Sequence, residues 1–125
     1  MKPIVAACVV LLGLAGAALA GDYEDGMAAY QRGDFATAHR LLSQSAEDGH
    51  ANAQFNLARM YENGEGVARD RVQAHKWFHL SSTGTTDMVL RFVAAAGRDE
   101  AAGEMSAQEI AEAERQAQEW VRTHR

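Results

Sequence analysis

The feature that most constrains this chain is a repetition. Asp34-Phe35-Ala36-Thr37-Ala38-His39-Arg40-Leu41-Leu42-Ser43-Gln44-Ser45 aligns without gaps on Asp70-Arg71-Val72-Gln73-Ala74-His75-Lys76-Trp77-Phe78-His79-Leu80-Ser81, from 34 to 70, an offset of 36. The pairs Asp34/Asp70, Ala38/Ala74, His39/His75, Arg40/Lys76, Leu42/Phe78 and Ser45/Ser81 are identical or chemically alike. In both copies the packing set recurs at i, i+3, i+4 and i+7: Ala38, Leu41, Leu42 and Ser45, then Ala74, Trp77, Phe78 and Ser81. That spacing marks one face of a helix. Each Asp precedes its face at the N-cap position, where a carboxylate accepts from otherwise unpaired backbone N–H groups. A chain that writes the same helix twice is built of stacked units, each too small to bury its apolar face alone.

The preceding segments repeat at a shorter interval. Residues 27–33 correspond to residues 58–64, an offset of 31, with Tyr30 on Tyr61 and Gly33 on Gly64. The five-residue difference is an insertion that turns Gly33-Asp34 into Gly64-Glu65-Gly66-Val67-Ala68-Arg69-Asp70. Each unit is therefore a helical hairpin with an expandable loop. Its glycines suit a helix end that needs positive φ.

The pattern Ala51-x-Ala53-Gln54-Phe55-Asn56-Leu57-Ala58-x-Met60-Tyr61-x-x-Gly64-x-Gly66-Val67-x-x-Asp70-x-x-x-Ala74-x-Lys76-Trp77-Phe78 resembles a Sel1-like repeat, a branch of the tetratricopeptide-type helical hairpins. The segment around Gly33-Asp34-Phe35 resembles a shorter form of the same unit. The likeness extends from Tyr23 to about Ser82 and departs at Ala58, where the family often has Gly, and at Ser81-Ser82, where it usually has Ala-Ala. It implies an all-α fold, a short α-solenoid of two to three antiparallel helix hairpins, used as an adaptor or scaffold surface. Some cysteine-rich relatives are linked to β-lactam binding or hydrolysis through repeated disulfides.

Residues 1–20 read as an export signal. Lys2 supplies the positive start, residues 4–17 are uncharged and small or aliphatic, and Ala18-Leu19-Ala20 is an A-x-A cleavage site. The apolar run lies at the short limit of the roughly 20 residues that span a bilayer, which favours a cleaved signal over a retained anchor. Cys8 lies inside the run and Gly21 follows the cleavage box, so the lipoprotein arrangement is missing. Removal takes away Lys2, Pro3 and Cys8 and leaves residues 21–125 as one helical repeat domain with neither proline nor cysteine. Packing alone must hold it, without the disulfides that oxidising compartments permit. The expected location is the periplasm or the exterior, with no stable membrane insertion after cleavage.

Residues 83–125 read as a third, degenerate pair. Thr86 or Asp87 can cap a helix through residues 88–96, which Gly97 is placed to end. Ser106-Ala107-Gln108-Glu109 is a capping box, and Ile110, Ala113, Ala117, Trp120 and Val121 keep helical spacing. Glu109, Glu112, Gln116 and Glu119 occupy the opposite face, giving the amphipathic C-terminal helix with which a solenoid closes its last repeat.

Chemistry finds little support. His75 and His79 share a helix side at zinc-like spacing, yet no third ligand is in register, so they read as residues of a repeat boundary or of a solvated face and no metal is expected. Gly64-x-Gly66 follows a helix and lacks the Lys-Ser/Thr of a phosphate loop. No Ser/His/Asp order or nucleophile elbow is present. A net charge of −5 would repel phosphate backbones, which argues against nucleic acid. The expectation is a non-enzymatic binding module without cofactors, with an enzyme or β-lactam-binding relative, or a structural subunit of an envelope complex, as alternatives. Asn52, Asn56, Arg59 and Asn63 form a polar stripe at i, i+4, i+7 and i+11, with Phe55 beside it. These five residues are the candidate surface for a protein or peptide partner, because first helices of stacked hairpins line the concave face and amides and guanidinium groups recognise peptide groups and carboxylates.

Overall fold

A computed structural model describes residues 21–124. The expected signal segment, residues 1–20, lies outside the described residues. Six helices follow in order: α1 (Asp22–Gln31), α2 (Phe35–Glu47), α3 (Ala51–Asn63), α4 (Arg71–Thr83), α5 (Met88–Ala102) and α6 (Ala107–Thr123), and no strand occurs among the described residues.

The caps at Asp34, Asp70 and Ser106 are local chemistry legible in the sequence. Asp34 accepts from the Thr37 amide at 3.3 Å and Asp70 from the Gln73 amide at 3.1 Å, the same contact in both repeats. His50 starts α3 by accepting from the Ala53 amide through Nδ1 at 3.2 Å. Asp87 caps α5, and Ser106 and Glu109 form the reciprocal capping box of α6.

Neighbouring helices pack in sequence from α1 to α5, burying Ala29, Ala38, Leu42, Ala53, Leu57 and Ala58 among others in one continuous core. Alanine at so many facing positions lets the helix axes approach, while Leu42, Met60, Trp77 and Phe78 fill the volume between them. The serines that depart from the family pattern have their own partners: the buried Ser81 hydroxyl donates to the Ala51 carbonyl at 2.8 Å and ties α4 to the start of α3.

Two expectations change. Gly97 does not end a helix, and α5 runs on to Ala102. A Cβ at residue 97 would lie 2.7 Å from the Phe78 ring, so glycine is there to let α5 come down on α4. Nor does the third pair close as a tight hairpin. Helix α6 packs chiefly on α4, while its own predecessor α5 lies apart from it across a cleft of about 410 Å³. The indole of Trp120 explains the choice, since it meets the Trp77 ring edge-on at 6.2 Å and donates from Nε1 to Glu47 of α2 at 3.1 Å. Gln73 donates to Gln116 at 2.8 Å along the same contact, so Gln116 belongs to the packed edge of α6 instead of its outer face. The last helix thus bridges the second helices of the first two pairs.

Candidate functional site

Helices α3 and α5, the first helices of the second and third pairs, border an open groove of about 280 Å³. Phe55, Arg59 and Glu62 line it from α3, Val93, Ala96, Gly97 and Glu100 from α5, and Phe78 forms its floor. Phe55 meets Phe78 edge-on at 5.6 Å, which holds it half-buried at the groove wall. The absent side chain of Gly97 sets α5 at its depth.

The candidate surface divides when placed on the structure. Phe55 and Arg59 line the groove, and Arg59 is exposed. Asn63 lies in an adjoining recess with Glu62, Arg69, Arg71, Glu100 and Glu104, where its amide donates to Glu65 at 3.3 Å. Asn56 spends its amide on the Asn52 carbonyl one turn back, at 2.9 Å. Asn52 and Asn56 lie outside the groove. The face opposite α3, contributed by α5, was missing from the sequence reading. Its signal was present: residues 88–96 are apolar nearly all round, which suggests a helix buried on every side, whereas the structure leaves one face in solvent.

The groove is electrically uneven. Arg69 and Arg71 both reach Glu104, at 3.2 and 3.1 Å, and Arg98 pairs with Asp99 at 3.0 Å. Glu62 and Glu100 have no such partner among the described residues. Burial raises the Glu62 pKa and the neighbouring Glu100 charge raises it further, with Arg59 and Arg69 acting in the opposite direction.

His75 and His79 face the cleft between α4, α5 and α6 rather than the groove. The Arg98 guanidinium donates toward His79 Nδ1 at 3.4 Å, which requires a neutral acceptor nitrogen. Burial lowers the His75 pKa, with His79 and Arg98 adding to the effect against weaker pulls from Glu114 and Asp99. Burial and then Arg98 lower that of His79. A cation already seated beside both rings disfavours a second one. His39, the repeat equivalent of His75, instead meets the Tyr61 hydroxyl at 3.3 Å across the α2–α3 boundary.

A pH effect follows from these directions. The folded rings stay neutral below the ordinary histidine pKa of about 6.5, while the unfolded chain binds protons, so stability falls as pH drops below that value and levels off once the folded rings also titrate. Thermal melts should give a lower Tm at pH 5 than at pH 7.5, with a smaller drop in His75→Gln. A drop of equal size in that variant would assign the effect to other groups.

Comparison with protein families gives two matches to the Sel1 repeat, over residues 14–50 and 51–84. The first begins within the segment read as an export signal, and the second ends before α5. A comparison with curated proteins gives no match.

Proposed function

The chain belongs to the Sel1 repeat family, and from that premise we propose that it is an exported binding module that holds a protein or peptide segment in the α3–α5 groove. Sel1 repeats are generally protein–protein interaction modules. The observation that carries the assignment to this groove is the pairing of Phe55 and Arg59, an aromatic wall and an exposed guanidinium on one stretch of α3, facing a second helix across an open channel. Such a combination supplies apolar area and a charge-assisted hydrogen bond at one place. Export rests on the composition of residues 1–20, and no helix among the described residues is long and apolar enough to cross a membrane.

The test is affinity capture from an envelope extract with purified chain, followed by binding measurements on the recovered partner. Arg59→Ala should weaken binding more than tenfold, the equivalent of a lost charge-assisted hydrogen bond of about 1.5–3 kcal/mol, and should leave melting within about ±0.5 kcal/mol. Glu119→Ala is the control, because Glu119 is exposed and pairs with Arg122 within α6. Glu112 is less suitable, since it accepts from both Arg115 and Gln116. Loss of binding with Glu119→Ala and none with Arg59→Ala would move the interaction to α6. N-terminal sequencing of the chain from the same cells should begin at Gly21.

A further inference from the structure

The large apolar side chains left exposed among the described residues are Met88, Val89, Phe92 and Val93, at 80%, 73%, 76% and 40%. All four lie on α5. Met88, Phe92 and Ala96 succeed one another at i+4, as do Val89 and Val93, so they form one stripe beside the buried stripe of Leu90, Ala94 and Ala101. A single exposed apolar residue needs no explanation, but a contiguous row over two turns marks a contact surface. In a closed hairpin the following helix would cover part of α5, and here α6 lies on α4 instead.

The groove beside this stripe has a polarity. Phe55 and Val93 line its apolar end, with Phe92 and Val89 extending that surface, while Glu62 and Glu100 lie at the other end without ion-pair partners. From Val93 to Glu100 is seven residues of helix, about 10 Å at 1.5 Å per residue. Glu62 and Glu100 border the same end of the groove, and a cation placed there would be attracted by both carboxylates.

We propose that the α3–α5 groove takes a protein segment bearing bulky apolar side chains and, about 10 Å further along, a Lys or Arg, with the apolar part seated on Phe55, Phe92 and Val93 and the cation between Glu62 and Glu100. This deepens the interaction reading above and rests on it. At about 3.3 Å per residue the spacing is three residues in an extended segment, or seven in a helical one. Specificity comes from the order of the two features: Arg69 and Arg71 at that end are engaged with Glu104 and Arg59 lies a turn nearer Phe55, so an acidic residue at the far end would meet the two carboxylates left without ion-pair partners.

The probe is a random twelve-residue peptide library displayed on phage and selected on the purified full chain. Enriched peptides should combine a bulky apolar pair with a Lys or Arg three or seven positions away and lack acidic residues there. A synthetic peptide of the enriched sequence should bind Phe92→Ser at least tenfold more weakly, with melting unchanged because Phe92 is exposed, and should lose as much when its own basic residue is changed to Glu. In the double variant Glu62→Gln, Glu100→Gln the preference for the basic residue should disappear. Enriched peptides with no basic preference, or equal binding to Phe92→Ser, would overturn the inference. If those same peptides still lost affinity with Arg59→Ala, the groove would remain a binding site and only the partner chemistry would fall. A library that yields nothing on the unaltered chain would remove both readings. Sedimentation showing a dimer that Phe92→Ser dissolves would also overturn it, by making a second copy of the chain the occupant.

Discussion

Trp77→Ala should lower stability by about 3–5 kcal/mol, the usual cost of emptying a large buried aromatic site. Trp77 is 3% exposed, meets Trp120 edge-on and carries the Lys76 ammonium 4.5 Å from its ring centroid. Removing the ring opens a cavity where α4 meets α6 and takes away the surface on which Trp120 rests. Trp120 also reaches Glu47 and stacks on His124 at 4.0 Å, so α6 would lose the bridge that holds it across the first two pairs. Against a total of about 5–15 kcal/mol the loss is large, and thermal unfolding followed by circular dichroism should show a fall in Tm of about 12 °C or more, at roughly 4–8 °C per kcal/mol. A shift of a degree or two would mean that Trp77 carries no packing load.

The second large effect is expected at Gly66, in the loop that lengthens the second unit. Its φ is +72°, and a Cβ there would lie 2.3 Å from the Phe35 carbonyl oxygen. The obstacle is backbone at the start of α2, so no side-chain rotation relieves it. The left-handed conformation alone costs an L-residue about 1–2 kcal/mol, and displacement of the loop would also disturb the bonds from the Tyr30 hydroxyl to Glu65 at 2.9 and 3.0 Å. Gly66→Ala should therefore cost about 3 kcal/mol in total. Gly33→Ala supplies the comparison, since Gly33 has φ +80° but open space at its Cβ, leaving only the conformational cost of about 1–2 kcal/mol. Equal Tm values for the two variants would show that the loop can leave Phe35 freely.

Gly66 also shows where reading the sequence stops. The insertion between the helices of the second unit was legible as a loop, because glycine spacing and helix caps are local properties. That the loop lies back on the first unit, with Glu65 accepting from Tyr30, depends on two segments 35 residues apart. The candidate binding residues divide along the same line. The periodicity of α3 placed Asn52, Asn56, Arg59 and Asn63 on one stripe, and the groove took Arg59 and Phe55 while leaving Asn52 and Asn56 aside. Which residues of a stripe face a neighbour depends on the neighbouring helix.

The caps at Asp34, Asp70 and Ser106 and the pairing of the first two hairpins were determined by sequence alone, since 3.6-residue periodicity and capping hydrogen bonds act within a few residues, whereas the choice of Asp87 over Thr86 and the end of α5 were not. The third pair was decided by tertiary structure. Residues 88–96 carry enough apolar surface to be buried from several directions, and Gly97 could end a helix or admit a close neighbour. The Phe78 ring selected the close approach, and the Trp120 contacts with Trp77 and Glu47 drew α6 onto α4. Packing the half-buried Trp120 indole on the buried Trp77 ring outweighed closing a hairpin over α5. Part of the apolar face of α5 stands open as a result, because competition among distant partners sets helix placement while each helix's own pattern sets only which faces are available.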